Sequence, residues 1–162
     1  MPQSYPHKPG PGAGQPYREA APQISDEERR KIKAIIEKDD PETLVALAKG
    51  VGDRLKELEA TRSQVRNVFG TVRQIQMRWS QPDSPGSAAS YRDAVLLRPK
   101  LAYYAKKEKG NKGRGMQYLE SVLAPALESI QGDATERHQR FNRFAEFFEA
   151  IVAYHHAAGA KD

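Results

Sequence analysis

The residues best suited to chemistry in this chain are cations. From Arg98 to Arg114 it carries Arg98, Lys100, Lys106, Lys107, Lys109, Lys112 and Arg114 against one acid, Glu108. That local net charge of +6 exceeds the +5 of the whole chain, so the remainder is close to neutral. Pro99 sits between Arg98 and Lys100, and the glycine-spaced run Gly110-Asn111-Lys112-Gly113-Arg114-Gly115 follows. Guanidinium and ammonium groups suit phosphate oxygens, and glycines let backbone amides approach the same oxygens. A second set lies upstream. Arg62, Arg66 and Arg73 fall within about 40° of one another on a helical wheel, with Gln64 close by. A local positive patch on a small helical protein points to a polyanion. Tyr103, Tyr104 and Trp79 have rings that stack on bases in single-strand binders, although core packing is the simpler reading of all three. Nothing resembles a base-reading code, so the contact expected is sequence-independent and electrostatic.

Other chemistry lacks its constellation. With no cysteine there is no thiol catalysis, disulfide or thiolate metal site. No glycine-rich loop is followed by Lys-Ser/Thr at the start of a helix. His155 and His156 are adjacent, so a regular helix points them about 100° apart, too far for one metal. Glu136-x-His138 also misses a single face. Glu146 and Glu149 share one, without the Glu-x-x-His that a bundle di-metal site requires. The histidines read as surface or interface residues. The expectation is a non-enzyme with no metal and no cofactor.

The elements that must position the cations are helical. Ser25-Asp26-Glu27-Glu28 is a capping box, and Ile32, Ile35 and Ile36 give a short amphipathic helix ending near Asp39. Asp40-Pro41 starts a second helix, with Leu44, Leu47, Val51, Leu55 and Leu58 as its apolar stripe. Gly50 and Gly52 weaken that helix unless they admit a close neighbour. Thr61-x-x-Gln64 caps a third helix, whose buried face is Val65, Val68, Val72, Ile75 and Trp79. Residues 80–90 read as loop. A fourth helix starts near Tyr91, with Ala94, Leu97, Leu101 and Tyr104 on its core face and a kink or restart at Pro99. The 110–115 run reads as a mobile loop. A fifth helix covers about Met116 to Ile130 and is bent at Pro125. Its buried residues are Leu119, Val122, Leu123 and Leu127. The last helix carries Phe141, Phe144, Phe148 and Ile151 and ends near His156. Alternating strand patterns are missing.

The fold class is therefore all-α, a compact five- to six-helix bundle with a disordered Pro/Gly-rich N-terminal tail. Six of the eleven prolines fall in residues 1–24, read as that tail. Residues 25–157 read as one helical, polyanion-binding domain and 158–162 as a C-terminal tail. A chain of 162 residues is long enough to bury a real core. Its mean hydropathy of −0.76 and the lack of a long apolar run argue against a membrane span or signal peptide. A cytoplasmic protein is expected.

Three segments carry a resemblance to a known family. They are Ser63-Gln64-Val65-Arg66-Asn67-Val68-Phe69, Leu97-Arg98-Pro99-Lys100-Leu101-Ala102-Tyr103, and Phe147-Phe148-Glu149-Ala150-Ile151-Val152-Ala153-Tyr154-His155. In type, order and spacing they resemble the small subunit of the type III-A (Csm) CRISPR–Cas effector complex, over about residues 25–157. The segment around Pro99 is the most specific. The resemblance implies a non-catalytic helical subunit, present in several stacked copies along the interior of a ribonucleoprotein used in antiviral and anti-plasmid defence. Its partners would be the guide (crRNA), the target RNA and the other Csm subunits, with cleavage left to the backbone subunits. Arg66, Arg98 and Lys100 match the family's cations and are carried over as RNA contacts. Lys107 stands where the pattern leads to an arginine, which keeps the charge and loses the bidentate fork. On charge and position, Arg62, Gln64, Arg73, Lys106, Lys112 and Arg114 join the candidate RNA-binding set.

Two other readings stay open on the residues alone. One is a helical adaptor whose basic face meets an acidic protein. The other is a small helical enzyme, which has no acid–base or metal constellation to support it.

Overall fold

The computed structural model describes residues 21–108 and 110–162, without the side chains of Asn111 and Lys112. Its elements are α1 (Asp26–Lys38), α2 (Pro41–Glu57), α3 (Arg62–Arg78), α4 (Ser87–Lys107), a 3-10 turn (Gly110–Gly113), α5 (Arg114–Glu128) and α6 (Ala134–Ala157). The described residues form no strand.

The starts of the helices follow their caps. Ser25, Thr61 and Asp133 each accept from the amide three residues on, and the side chains of Glu28, Gln64 and Glu136 reach back to the cap amide. Asp40 accepts from the Thr43 amide, with Pro41 opening α2. Asp39 and Asp40 thus end one helix and begin the next, Asp39 adopting the left-handed conformation with φ of 55°.

Helix α6 is the spine of the core. Phe141, Phe144, Phe147, Phe148 and Ile151 are fully buried along it. α2 packs against it most extensively, and α3 packs on it through Phe69, whose ring centroid lies 5.3 Å from that of Phe148. Trp79 at the end of α3 meets Phe141 at 5.3 Å and Tyr91 of α4 at 6.2 Å. Gly52 makes the α2–α6 approach possible. A Cβ there would stand 2.7 Å from the backbone nitrogen of His155, so the glycine is a packing requirement. Gly50 faces open space and has no such role.

Several expectations need correction. The fourth helix starts at Ser87, so residues 87–90 are not loop, and it runs unbroken through Pro99 to Lys107. Pro99 is tolerated because it lies on the exposed side of α4, where water can reach the Val95 carbonyl that it leaves without an amide partner. The core face of α4 runs Ser90, Ala94, Leu97, Leu101 and Ala105. Tyr104 is 37% exposed, so Ala105 takes the place assigned to it. Residues 110–113 form a 3-10 turn in place of a loop, and α5 begins at Arg114. Ala48 and Phe147 are buried although the expected stripes passed them by, while Leu44 and Leu47 are only half-buried.

Both chain ends pack further than composition suggests. Residues 1–20 of the expected tail lie outside the described residues, but Pro22 and Ile24 are buried. At the other end Ala160 is buried, and the Lys161 carbonyl accepts from the Arg62 amide at 2.8 Å.

Candidate nucleic-acid interface

α3 and α4 form an antiparallel hairpin. Trp79 meets Tyr91 at one end, and Gln64 and Asn67 share a cleft with Tyr104 and Lys107 at the other. At equal rise along two antiparallel helices, those two contacts bring Gly70 of α3 level with Lys100 and Leu101 of α4. Residues 62–107 hold nine Lys/Arg and only Asp83 and Asp93 as acids, a net +7. α3 itself has Arg62, Arg66, Arg73 and Arg78 and no acid.

The hairpin sorts the candidate cations by flank. The solvent-facing side of α3 carries Ser63, Arg66, Asn67, Gly70, Arg73 and Met77, all exposed. Arg66 forms no hydrogen bond or ion pair with any described residue, whereas Arg73 donates to Gln76 Oε1 at 2.9 Å. On α4, Lys100 and Lys107 lie within about 20° of each other on the wheel, on the flank turned to α3. Both are exposed and pair with no described residue. Beside them Tyr103 is 64% exposed, and its ring packs edge-on against Tyr104 at 5.8 Å. The cleft between the helices has a volume of about 120 Å³ and is lined by Gln64, Asn67, Val68, Tyr104, Lys107, Glu108 and Met116.

Other members of the candidate set are drawn into the fold. Arg98 points about 160° away from Lys100, toward α5. It pairs there with Glu128 at 3.1 Å. Arg62 is partly buried, pairs with Asp162 at 3.6 Å, and its Nε is buried without an acceptor. The side-chain oxygen of Gln64 accepts from the Thr61 amide, which holds it as a cap. Lys106 turns to the α5 side, where Ala21, Pro22 and Gln23 cross a cavity of about 220 Å³ bounded by Gln117, Glu120 and Ser121. Arg114 is half-buried in the first turn of α5. The side chain of Lys112 lies outside the described residues.

The aromatic residues divide. Trp79 is a core residue at 3% exposure, as the simpler reading had it, while Tyr103 and Tyr104 reach solvent. The histidine expectation fails at His155, which is 1% exposed. Its Nε2 donates to the Ala60 carbonyl across 2.8 Å, tying α6 to the α2–α3 turn. Burial holds its pKa below the ordinary imidazole value. Asn67 also lines the α3–α4 cleft, although neither charge nor motif brought it into the candidate set. No group of three metal-ligating side chains occurs among the described residues.

No helix of the described residues is long and apolar enough to cross a membrane. No curated protein and no solved structure matches this chain. A family model does. The one described as Csm2 Type III-A matches residues 38–161, which takes in α2 through α6 and the whole hairpin. The chain belongs to the Csm2 Type III-A family, the small subunit of the type III-A Csm effector complex of CRISPR–Cas systems.

Proposed function

We propose that this subunit holds RNA inside the type III-A complex through sequence-independent phosphate contacts, and that it performs no catalysis. The contacts come from the outer side of α3 and the adjoining flank of α4, with Arg66, Arg73, Lys100 and Lys107 as the principal cations. Guide–target pairing carries the sequence information, so a protein that grips backbone shape and charge is sufficient. The exposed rings of Tyr103 and Tyr104 add a stacking surface at the rim. Arg62 and Arg98 are secondary, because an internal carboxylate already engages each of them. The complex works in the cytoplasm, on guide and target RNA, with copies of this chain beside the other Csm subunits.

The observation that carries this reading is the imbalance of α3, four arginines without one acid, with Lys100 and Lys107 beside it, paired with no described residue. An exposed helix gains from mixed charges, since like charges one turn apart repel. A stripe of one sign is favoured when an external anion completes it.

The test is the Arg66→Glu/Lys100→Glu double variant in a complex reconstituted with guide RNA. Affinity for complementary target RNA is measured across a salt series. The expected result is weaker binding to any guide–target pair, with a shallower salt slope by about 0.7 for each single-strand phosphate left without its cation. Wild-type affinity and slope would reject the assignment of this face.

A further inference from the structure

Gly70 lies inside α3, eight residues from its first position and eight from its last. Nothing in the fold asks for glycine there. Its φ is not left-handed, and a Cβ built on it would meet nothing within 4 Å. A glycine in a helix interior costs about 1 kcal/mol relative to alanine. Gly52 shows what an internal reason looks like in this molecule, since its missing Cβ admits the backbone of α6. Gly70 has no neighbour of that kind and is exposed.

Its surroundings point to an external one. Gly70 lies one turn from Arg66 and nearly one turn from Arg73 along the solvent-facing side of α3. The antiparallel hairpin brings it level with Lys100. Three cations therefore surround a bare stretch of helix backbone, and no carboxylate stands among them on α3. A protein partner would be expected to bring an apolar anchor to such a gap. Cations around an open helix surface suit a polyanionic strand, whose phosphates take the charges while its sugar edge lies against the backbone.

We propose that Gly70 is the contact floor for the RNA strand: the missing side chain lets the sugar–phosphate backbone settle onto α3 between Arg66, Arg73 and Lys100. This rests on the RNA-binding reading of the face and adds to it a steric requirement that charge alone does not supply. It makes Gly70 a positioning residue, since a Cβ there would lift the strand away from the guanidinium groups.

The test uses the reconstituted complex with its guide RNA and four variants of this subunit, Gly70→Ala, Gly70→Val, Gly50→Ala and Arg66→Glu/Lys100→Glu. Measured are the melting temperature of each free subunit, its stoichiometry in the complex, and the affinity for complementary target RNA. Gly70→Ala and Gly50→Ala are both expected to raise the melting temperature, as exposed helix glycines replaced by alanine. Gly50→Ala keeps wild-type affinity. Gly70→Val assembles at full stoichiometry and binds target about tenfold more weakly, the scale of one charge-assisted hydrogen bond, with Gly70→Ala between it and wild type. Wild-type affinity of Gly70→Val beside a weakened Arg66→Glu/Lys100→Glu complex overturns the role of Gly70 and leaves the RNA face standing. Loss of the Gly70→Val subunit from the complex makes Gly70 a protein contact and overturns the proposal as well. Wild-type affinity of the double charge variant removes the RNA face, and this inference with it.

Discussion

The α1–α2 pair and the α3–α4 hairpin use similar amounts of positive charge to opposite ends. Residues 26–57 hold eight Lys/Arg and nine Asp/Glu, a net −1, against the +7 of residues 62–107. Three of the first pair's eight cations meet acids on their own helix. Lys31 meets Glu27, Lys49 meets Asp53 at 2.8 Å, and Arg54 meets Glu57 at 3.1 Å. These are contacts three or four residues apart on exposed helix faces, of the kind that adds a few tenths of a kcal/mol each. In the hairpin, Arg66, Lys100 and Lys107 pair with no described residue. Charge density alone does not mark a binding face. What sets the hairpin apart is its scarcity of acids, Asp83 and Asp93 against nine cations.

The glycines make the same distinction and give the largest effect. Gly52→Val forces two branched carbons into a space where even a Cβ meets the His155 backbone at 2.7 Å. Overpacking of this kind costs about 1–3 kcal/mol or more, and the backbone of α6 has little room to give. Gly70→Val adds carbons to open solvent and is expected to leave stability unchanged or slightly raised. Urea unfolding of the two variants measures both. Equal destabilisation would mean that α3 is packed on its outer side after all.

Charge reversal comes next. Lys49→Glu in α2, a helix with three acids and three cations, replaces an exposed ion pair by two neighbouring carboxylates and is expected to cost little stability, with unchanged RNA affinity. Lys107→Glu in α4 is expected to lower affinity for every RNA sequence alike and to flatten the salt dependence. The measurement is target binding by the reconstituted complex at several salt concentrations. An equal drop for both variants would show a diffuse response to net charge and erase the contrast between the two regions.

How much of this was readable in the sequence depends on the kind of signal. Caps are local, so Ser25, Asp40 and Thr61 gave their helix starts directly, and the phenylalanine spacing gave the buried side of α6. The core side of α4 was ambiguous. Ala94, Leu97 and Leu101 fit both Tyr104 and Ala105 as the next position, and the larger residue was the wrong choice. Small residues hide core positions in the same way at Ala48. The 80–90 segment read as loop through Ser and Gly content, but Ser87, Ala88, Ala89 and Ser90 complete the first turn of α4 behind Gly86. The cations were legible as a set and not as a face. Whether Arg98 or Lys100 is free depends on Glu128, thirty residues away, which spacing on one helix does not reveal.

The role of His155 was equally hidden, and it predicts a pH response confined to the α2–α6 side. Burial lowers its pKa in the folded chain, so the unfolded chain takes up the proton first as pH falls. Its contribution is therefore complete above the ordinary value of 6.5 and is lost as pH drops below that toward the lowered folded value. His155→Gln keeps an N–H able to donate to Ala60 and does not titrate. Melting temperatures of the two proteins should follow the same slope above pH 6.5 and separate below it, with the wild type falling faster. Parallel curves on the acid side would assign the acid sensitivity elsewhere.

The smallest effect is the most discriminating one for the hairpin. Arg98 and Lys100 sit on either side of Pro99, and by sequence they look like a pair. On the helix they point about 160° apart, so one strand of RNA lying along the α3 side meets Lys100 and misses Arg98. Arg98→Ala removes an ion pair whose partners are 49% and 47% exposed, which is worth at most about 1 kcal/mol. Its expected effect on RNA affinity is smaller than that of Lys100→Ala, because Glu128 already neutralises the guanidinium. Glu128→Gln separates neutralisation from direction. If Arg98 merely lacked charge, freeing it would strengthen RNA binding. If it faces the wrong flank, affinity stays where it was, and that is the outcome the hairpin geometry requires. A gain in affinity on freeing Arg98 would extend the RNA path around α4 to the α5 side and end the division into a binding flank and a structural one.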